Sequence, residues 1–368
     1  DSAVPNPKNC VPMTYDPFRR GPFAVGVRTT SLIDADRDRP LAVEVWYPAD
    51  AAHAGADLAA DTQDRYEFLP GLPTTTQDAV RDATPTRGRF PLVAFSHGFG
   101  GHRRQSTFLC THLSSHGYVV AAVDHTGNTT LDILQMMLAV RGGAEVPEPL
   151  GLLRPFIDAR PCDIRFMIDC ILDGSAGGVA ALVDDERIGM SGHSFGGWTT
   201  LAVTRADTRI RAALPLAPAG GATPLPGEPL RESLDFAWGR DVPTLFLVAA
   251  RDSLLPLAGM HELLERTPSA AKRMVVLENA DHMHFCDNAA QVHEMFRMFP
   301  PPGAFAAIAK VTPPITELCP ANHAHDMVRG LGLAHMDATL KANEGAAGLL
   351  AGDVRGLMAA RGIAVAVH

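Results

Sequence analysis

The 368-residue chain has no window approaching about 18 uninterrupted apolar residues, so a hydrophobic membrane-spanning helix is excluded. Lysine is scarce, with four in the whole chain, no basic run occurs, and the net charge is −9. Phosphate binding needs clustered cations, so a nucleic-acid partner is not expected and small neutral or apolar ligands fit better. Cysteine is sparse and scattered: Cys10, Cys110, Cys162, Cys170, Cys286 and Cys319 lack metal-ligand spacing, and neither a metal nor another cofactor is expected. A Cys286–Cys319 disulfide is the preferred pairing because both residues flank the end of the core, with buried free thiols as the equal alternative. The sequence starts at Asp1 without a methionine or an apolar leader. The expectation is processing, with an extracellular or periplasmic location and a cytoplasmic one left open. What the chain has in quantity is hydrophobic residues, 46% of the total, enough for one α/β core with decorations.

Phe23 to Ser31 and Leu41 to Tyr47 alternate apolar and polar residues around the charged turn Asp34 to Arg39, which predicts an antiparallel hairpin. Residues 48–88 are rich in Ala, Asp, Thr and Pro and read as surface connection with one short helix. From Phe90 short apolar runs alternate with helix-length stretches: Pro91–Ser96, Tyr118–Asp124, Arg187–Ser191, Ile210–Leu216, Thr244–Ala250 and Arg273–Leu277. That rhythm predicts a mainly parallel central sheet flanked by helices, with the hairpin and one further N-terminal strand at an antiparallel edge. About 35 residues separate Asp124 from a helix expected near Pro161, too many for an ordinary connection. Within this insertion, about 125–160, Leu131–Leu138 predicts an amphipathic lid helix whose Leu131, Leu134, Met136 and Met137 would line an acyl pocket; an ordinary covering helix is the alternative. The chain is read as a catalytic domain over 1–311 and a helical extension over 312–368 packed on the same domain, or used in an oligomer contact. Oligomeric state is left open.

Gly192-His193-Ser194-Phe195-Gly196 is the most informative segment. A serine lifted out of the fold on a sharp strand-to-helix turn needs residues without side chains two before and two after it, and both are glycine. Upstream, Arg187–Ser191 reads as a buried strand; downstream, Gly197–Val203 reads as the first turns of a helix. Ser194 is therefore the candidate nucleophile.

A serine hydroxyl is a poor nucleophile at neutral pH and needs a histidine base oriented by an acid. Asp252 ends the strand Thr244–Ala250 and is the candidate acid. After the strand Arg273–Leu277, the loop Glu278-Asn279-Ala280-Asp281-His282-Met283-His284 offers His282 as base, with His284 as the alternative. His282, His284, Asp281 and Asp287 could also be read as a metal site, but an isolated H-x-H lacks a defined third ligand. Donors for a developing oxyanion are expected from the backbone amide of Phe195 and from that of Phe99 in the loop His97-Gly98-Phe99-Gly100-Gly101.

With these elements placed, residues 20–300 resemble an α/β-hydrolase-fold esterase. Ser96-His97-Gly98-Phe99-Gly100-Gly101 together with Gly192–Gly197 is similar to the platelet-activating-factor acetylhydrolase and dienelactone-hydrolase-like group, and more distantly to the cutinases. The acetylhydrolases carry their acid just after the strand that follows the nucleophile helix, whereas this chain reads Ala212-Ala213-Leu214-Pro215-Leu216-Ala217-Pro218 there. Asp252, one strand later as in cutinases, takes that place. The resemblance implies a serine carboxylic-ester hydrolase acting through an acyl-enzyme on a small or lipid-like ester. An acyltransferase, a cutinase-like polyester or aromatic-ester hydrolase, and a binding protein that has lost catalysis are the alternatives.

Overall fold

The computed structural model describes residues 15–67, 71, 74–145, 149–223, 225 and 227–368. Strands β1 (Val25–Asp34) and β2 (Arg39–Pro48) form the expected hairpin, closed by a turn in which Asp38 takes a φ of 48°. The connection after β2 holds strands as well as a short helical turn. Beyond a single 3-10 turn it contains β3 (Asp64–Glu67) and β4 (Thr74–Gln77), which pair with each other, and β5 (Val80–Arg81).

From β6 (Phe90–Ser96) strands and helices alternate. The order is α1 (Thr107–Ser115), β7 (Val119–Val123), α2 (Thr130–Arg141), α3 (Pro149–Leu172), β8 (Val183–His193) and α4 (Phe195–Ala206). Next come β9 (Ile210–Leu216), α5 (Glu228–Glu232), β10 (Thr244–Ala249), α6 (Leu257–Arg266), β11 (Lys272–Leu277), α7 (Ala289–Met298) and α8 (Ala304–Ala309). The tail supplies α9 (Ala321–Leu340), α10 (Glu344–Ala351), α11 (Val354–Ala359) and β12 (Val365–Val367).

Ten strands form one sheet in the order β12-β11-β10-β9-β8-β6-β7-β2-β1-β5. All neighbours from β11 to β7 run parallel, and β2 and β12 pair antiparallel at the two sides. Both faces are covered, so β7 and β10 are buried at every residue and read as continuous apolar runs. Side chains alternate between the faces: Leu245, Leu247, Val275 and Leu277 pack with α1 and α9, whereas Phe246, Val248, Met274 and Val276 pack with α4 and α6. Because β6 and β8 are neighbours while β7 lies beyond β6, the chain reverses its direction of travel across the sheet between them. A cleft at the carboxyl ends of these strands is where ligands bind in such sheets.

Three details depart from the sequence reading. The long helix starts at Pro149 and carries Pro155 and Pro161 inside it, instead of starting near Pro161. The further N-terminal edge strand is not found among the described residues, and β5 holds that position. The tail is not wholly helical, since β12 adds to the other edge while Met327, Leu331 and Met336 of α9 join the main core. No helix among the described residues is long and apolar enough to cross a membrane.

Candidate active site

The register of β6 on β8 sets Ser96 beside Gly192, so the segments beyond the two strands emerge side by side. Ser194 comes directly after β8 with φ 59° and ψ −117°, a conformation that costs a non-glycine residue about 1–3 kcal/mol. Its flanking glycines are required by contact. A Cβ on Gly196 would lie 1.8 Å from the Ser96 carbonyl oxygen, and one on Gly192 2.4 Å from that of Gly196. Ser194 is half-buried, and its hydroxyl is not hydrogen-bonded to any described residue.

Asp252 lies just past β10 and is buried. Its Oδ1 accepts from the amides of Leu254 (3.0 Å) and Leu255 (2.7 Å), and its Oδ2 accepts from His282 Nδ1 at 2.7 Å. This leaves His282 Nε2 as the nitrogen able to take a proton. Burial opposes charge on both partners and raises the Asp252 carboxyl above its ordinary range. For His282 burial also acts downward, but the charge and hydrogen bond of Asp252 outweigh it and the imidazole is raised above its ordinary 6.5. His284, two residues on, is committed elsewhere. Its Nε2 donates to the Cys319 carbonyl (3.0 Å), and its Nδ1 lies 3.1 Å from the Asp281 amide.

The elbow, the loop after β6 and the histidine loop are joined by one buried relay. The Gly98 amide donates to Gln105 Oε1 (2.8 Å), Gln105 Nε2 donates to His193 Nδ1 (2.8 Å), and His193 Nε2 donates to the His282 carbonyl (3.1 Å). Burial, with His282 next to it, holds His193 well below its ordinary pKa, so it stays neutral as this relay requires. A Cβ placed on Gly98 would lie 3.4 Å from Ser194 Cβ, so the loop passes directly over the serine. The amides of Phe99 and Phe195 donate to no described residue, which keeps them available to an incoming oxygen.

The predicted lid segment is α2. Its Thr129 cap and Asp132 form a capping box, and Thr130 Oγ1 donates to the Gly100 carbonyl (2.8 Å). α2 holds no fully buried residue. Leu131 is 47% exposed, and Leu134, Met136 and Met137 are half-buried. Ile133, which the sequence did not single out, is the residue packed on Gly100. Phe99 stacks on Phe305 of α8 at 6.3 Å.

Three comparisons bear on this arrangement. The family model for platelet-activating factor acetylhydrolase, isoform II, matches residues 71–141, and the PET hydrolase-like model matches residues 164–299. Cutinase est1 of Thermobifida alba is 27% identical over 54% of this chain and 55% of its own. Bis(hydroxyethyl) terephthalate hydrolase of Streptomyces coelicolor is 28% identical over 57% and 53%, and platelet-activating factor acetylhydrolase of Canis lupus familiaris 25% identical over 55% and 49%. A solved ferulic acid esterase from Streptomyces cinnamoneus superimposes with a TM-score of 0.60 at 26% identity, covering 87% of this chain and 91% of that one.

The chain has the α/β-hydrolase fold and is similar to esterases of that fold. It spans about half the length of the curated relatives it matches. The stretch after β9 has no carboxylate, and the Asp252 carboxylate after β10 meets His282. The Cys286–Cys319 disulfide is overturned. Both are free thiols, Cys286 Sγ lying 3.7 Å from His193 Nδ1, while Cys10 lies outside the described residues.

Sequence reasoning also missed a second Ser-His-Asp set beneath the loop. Ser96 Oγ donates to His125 Nε2 (2.9 Å), and His125 Nδ1 donates to Asp163 Oδ2 (2.9 Å). All three side chains are fully buried.

Proposed function

We propose that the protein hydrolyses carboxylic esters through Ser194, His282 and Asp252. Ser194 Oγ attacks the ester carbonyl while His282 Nε2 takes its proton. Asp252 holds the Nδ1–H tautomer and stabilises the imidazolium. The amides of Phe99 and Phe195 receive the oxyanion, and collapse of the tetrahedral intermediate releases the alcohol, protonated by His282. Water activated by the same imidazole then cleaves the acyl-enzyme. The observation that carries this reading is the 2.7 Å His282–Asp252 contact on a loop whose backbone is tied to the serine elbow through His193.

The acyl group is proposed to lie along α2, against Leu131, Leu134, Met136 and Met137, with Ile133 at the loop. A small or lipid-like ester fits such an apolar lining. A second substrate reading, an aromatic or polyester-type ester, is favoured by the Phe99–Phe305 pair beside the loop and by the PET hydrolase-like match over residues 164–299. Transfer of the acyl group to an acceptor other than water would use the same residues and is read from the products.

A panel of esters varied in acyl length and alcohol, including a phospholipid and an aromatic diester, tests the reading together with fluorophosphonate labelling. Turnover with label on Ser194 is expected. A folded protein that neither turns over any ester nor takes the label overturns it.

A further inference from the structure

Among the described residues, Arg160 of α3 is the one arginine or lysine with no exposed surface. Its guanidinium touches no carboxylate. Nη1 donates to the His97 carbonyl (2.6 Å) and Ser96 Oγ (3.3 Å), and Nη2 donates to the Gly98 carbonyl (3.0 Å) and Asn128 Oδ1. Its central carbon lies 4.3 Å from the centroid of the Phe195 ring. Burial pushes its pKa down to about 9, so it remains a cation at neutral pH.

The targets of this cation are specific. The Gly98 carbonyl belongs to the same peptide group as the Phe99 amide, one of the two donors that the esterase reading assigns to the oxyanion. Drawing electron density from a carbonyl strengthens the N–H of that peptide as a donor. The ring under the guanidinium belongs to Phe195, which gives the other donor. A charge buried where water cannot screen it acts strongly on charge that develops nearby. A merely structural brace would need hydrogen-bond donors, whereas this site spends a full charge.

Resting on the esterase reading, we propose that Arg160 is a positioning residue of the oxyanion site: it fixes the Gly98–Phe99 peptide over Ser194 and sets a buried positive charge behind the Phe99 donor and against the ring of Phe195. Its contribution grows as the carbonyl oxygen becomes an oxyanion, so it acts on turnover more than on substrate binding.

The test compares wild type, Arg160→Met and Arg160→Lys, with folding checked by thermal melting and Ser194 counted by fluorophosphonate labelling. Arg160→Met is expected to lower kcat by about 10- to 100-fold with KM within about threefold. Affinity for a phenylboronic acid, which forms a tetrahedral adduct on serine, should fall by the same factor as kcat/KM. Arg160→Lys keeps the charge without the two-pronged fork and should recover part of the loss; should the methionine variant not fold, a three- to thirtyfold fall in kcat for the lysine variant carries the test. Folded variants with unchanged kcat and boronate affinity, or with a change in KM alone, overturn the proposal while leaving the esterase reading intact. A wild-type protein that takes no label overturns both.

Discussion

The buried Ser96-His125-Asp163 set and the set proposed for chemistry, Ser194, His282 and Asp252, lie in one molecule and differ in what surrounds them. In the buried set, Ser96, His125 and Asp163 meet the distance criteria of a catalytic triad at both contacts. In the other, Asp252 and His282 are joined as tightly, but Ser194 stands half-buried on a strained turn with a free hydroxyl. The acids differ too. Asp163 is shared by Arg39 (2.7 and 2.8 Å) and Arg37 (2.8 Å), and with Arg160 nearby a charged His125 would be repelled; burial first, then Arg160, push that imidazole down to about 4. Asp252 is held by neutral amides, so its charge is left for His282, which rises. Triad distances alone therefore do not define a site. Access for a substrate, free amides beside the serine and an acid not already neutralised by arginine make the difference.

The sharpest way to break this comparison is to remove each serine. Ser194→Ala is expected to lower kcat/KM by at least about 10⁴-fold with the melting temperature little changed. Ser96→Ala should do the reverse, costing about 1–3 kcal/mol of stability through the unpaired His125 Nε2 while kcat/KM stays within about tenfold. Initial rates and thermal melts of the two purified variants decide this. Equal losses of activity would mean that both sets serve the reaction.

The acids come next. Asp252→Asn should reduce kcat by about 10²- to 10⁴-fold, since the amide leaves the imidazole in the wrong tautomer. Asp163→Asn should act on folding instead, by about 2–4 kcal/mol in urea titration, because Arg37 and Arg39 lose their shared carboxylate.

Legibility in the sequence tracks locality. The strands β6 to β11 are apolar runs bounded by turns, and the serine elbow is a glycine spacing, so both are written in contiguous residues. The meeting of Asp252 with His282 is legible because each sits in the loop directly after a parallel strand, at the end of the sheet where the elbow emerges. The buried set is not legible: Ser96, His125 and Asp163 are 29 and 38 residues apart and meet only because α3 crosses beneath the loop. Pro161 misleads as a start signal, because packing of Ile164, Met167 and Ile171 on the sheet holds α3 together through its prolines. β5 and β12, of two and three residues, are too short to carry a pattern and exist through the strands they pair with.

A smaller effect separates the two imidazoles by pH. His282 must be neutral to accept a proton, and its raised pKa places the acid limb of kcat/KM above pH 6.5. Asp252→Asn removes the support of the imidazolium and should move that limb to lower pH. Stability has the opposite sign for most histidines. His102, His125, His325 and His335 are held by burial at about 3 to 4, so each contributes stability that is present above pH 6.5 and lost as pH falls towards its folded value. His282 alone among these contributes below pH 6.5 and loses its share as pH rises through its folded pKa. Melting temperature should therefore fall on acidification below about pH 6. A melting temperature that is flat down to pH 4 would mean that these histidines are not held neutral.

The smallest expected effect falls on the nearest neighbour of the proposed base. His284 lies two residues beyond His282 in the same 3-10 turn, yet its ring bonds the Cys319 carbonyl and the Asp281 backbone. Its replacement by alanine leaves those buried groups unpaired, at a cost of about 1–3 kcal/mol, without touching the proton that Ser194 must lose. kcat for His284→Ala should remain within about tenfold of wild type, whereas His282→Ala should fall with Ser194→Ala. Steady-state kinetics of the two alanine variants, measured at a temperature where both are folded, compares them directly. If the losses were reversed, the proton acceptor would be His284, and the Asp252–His282 pair would join Ser96, His125 and Asp163 as a structural contact.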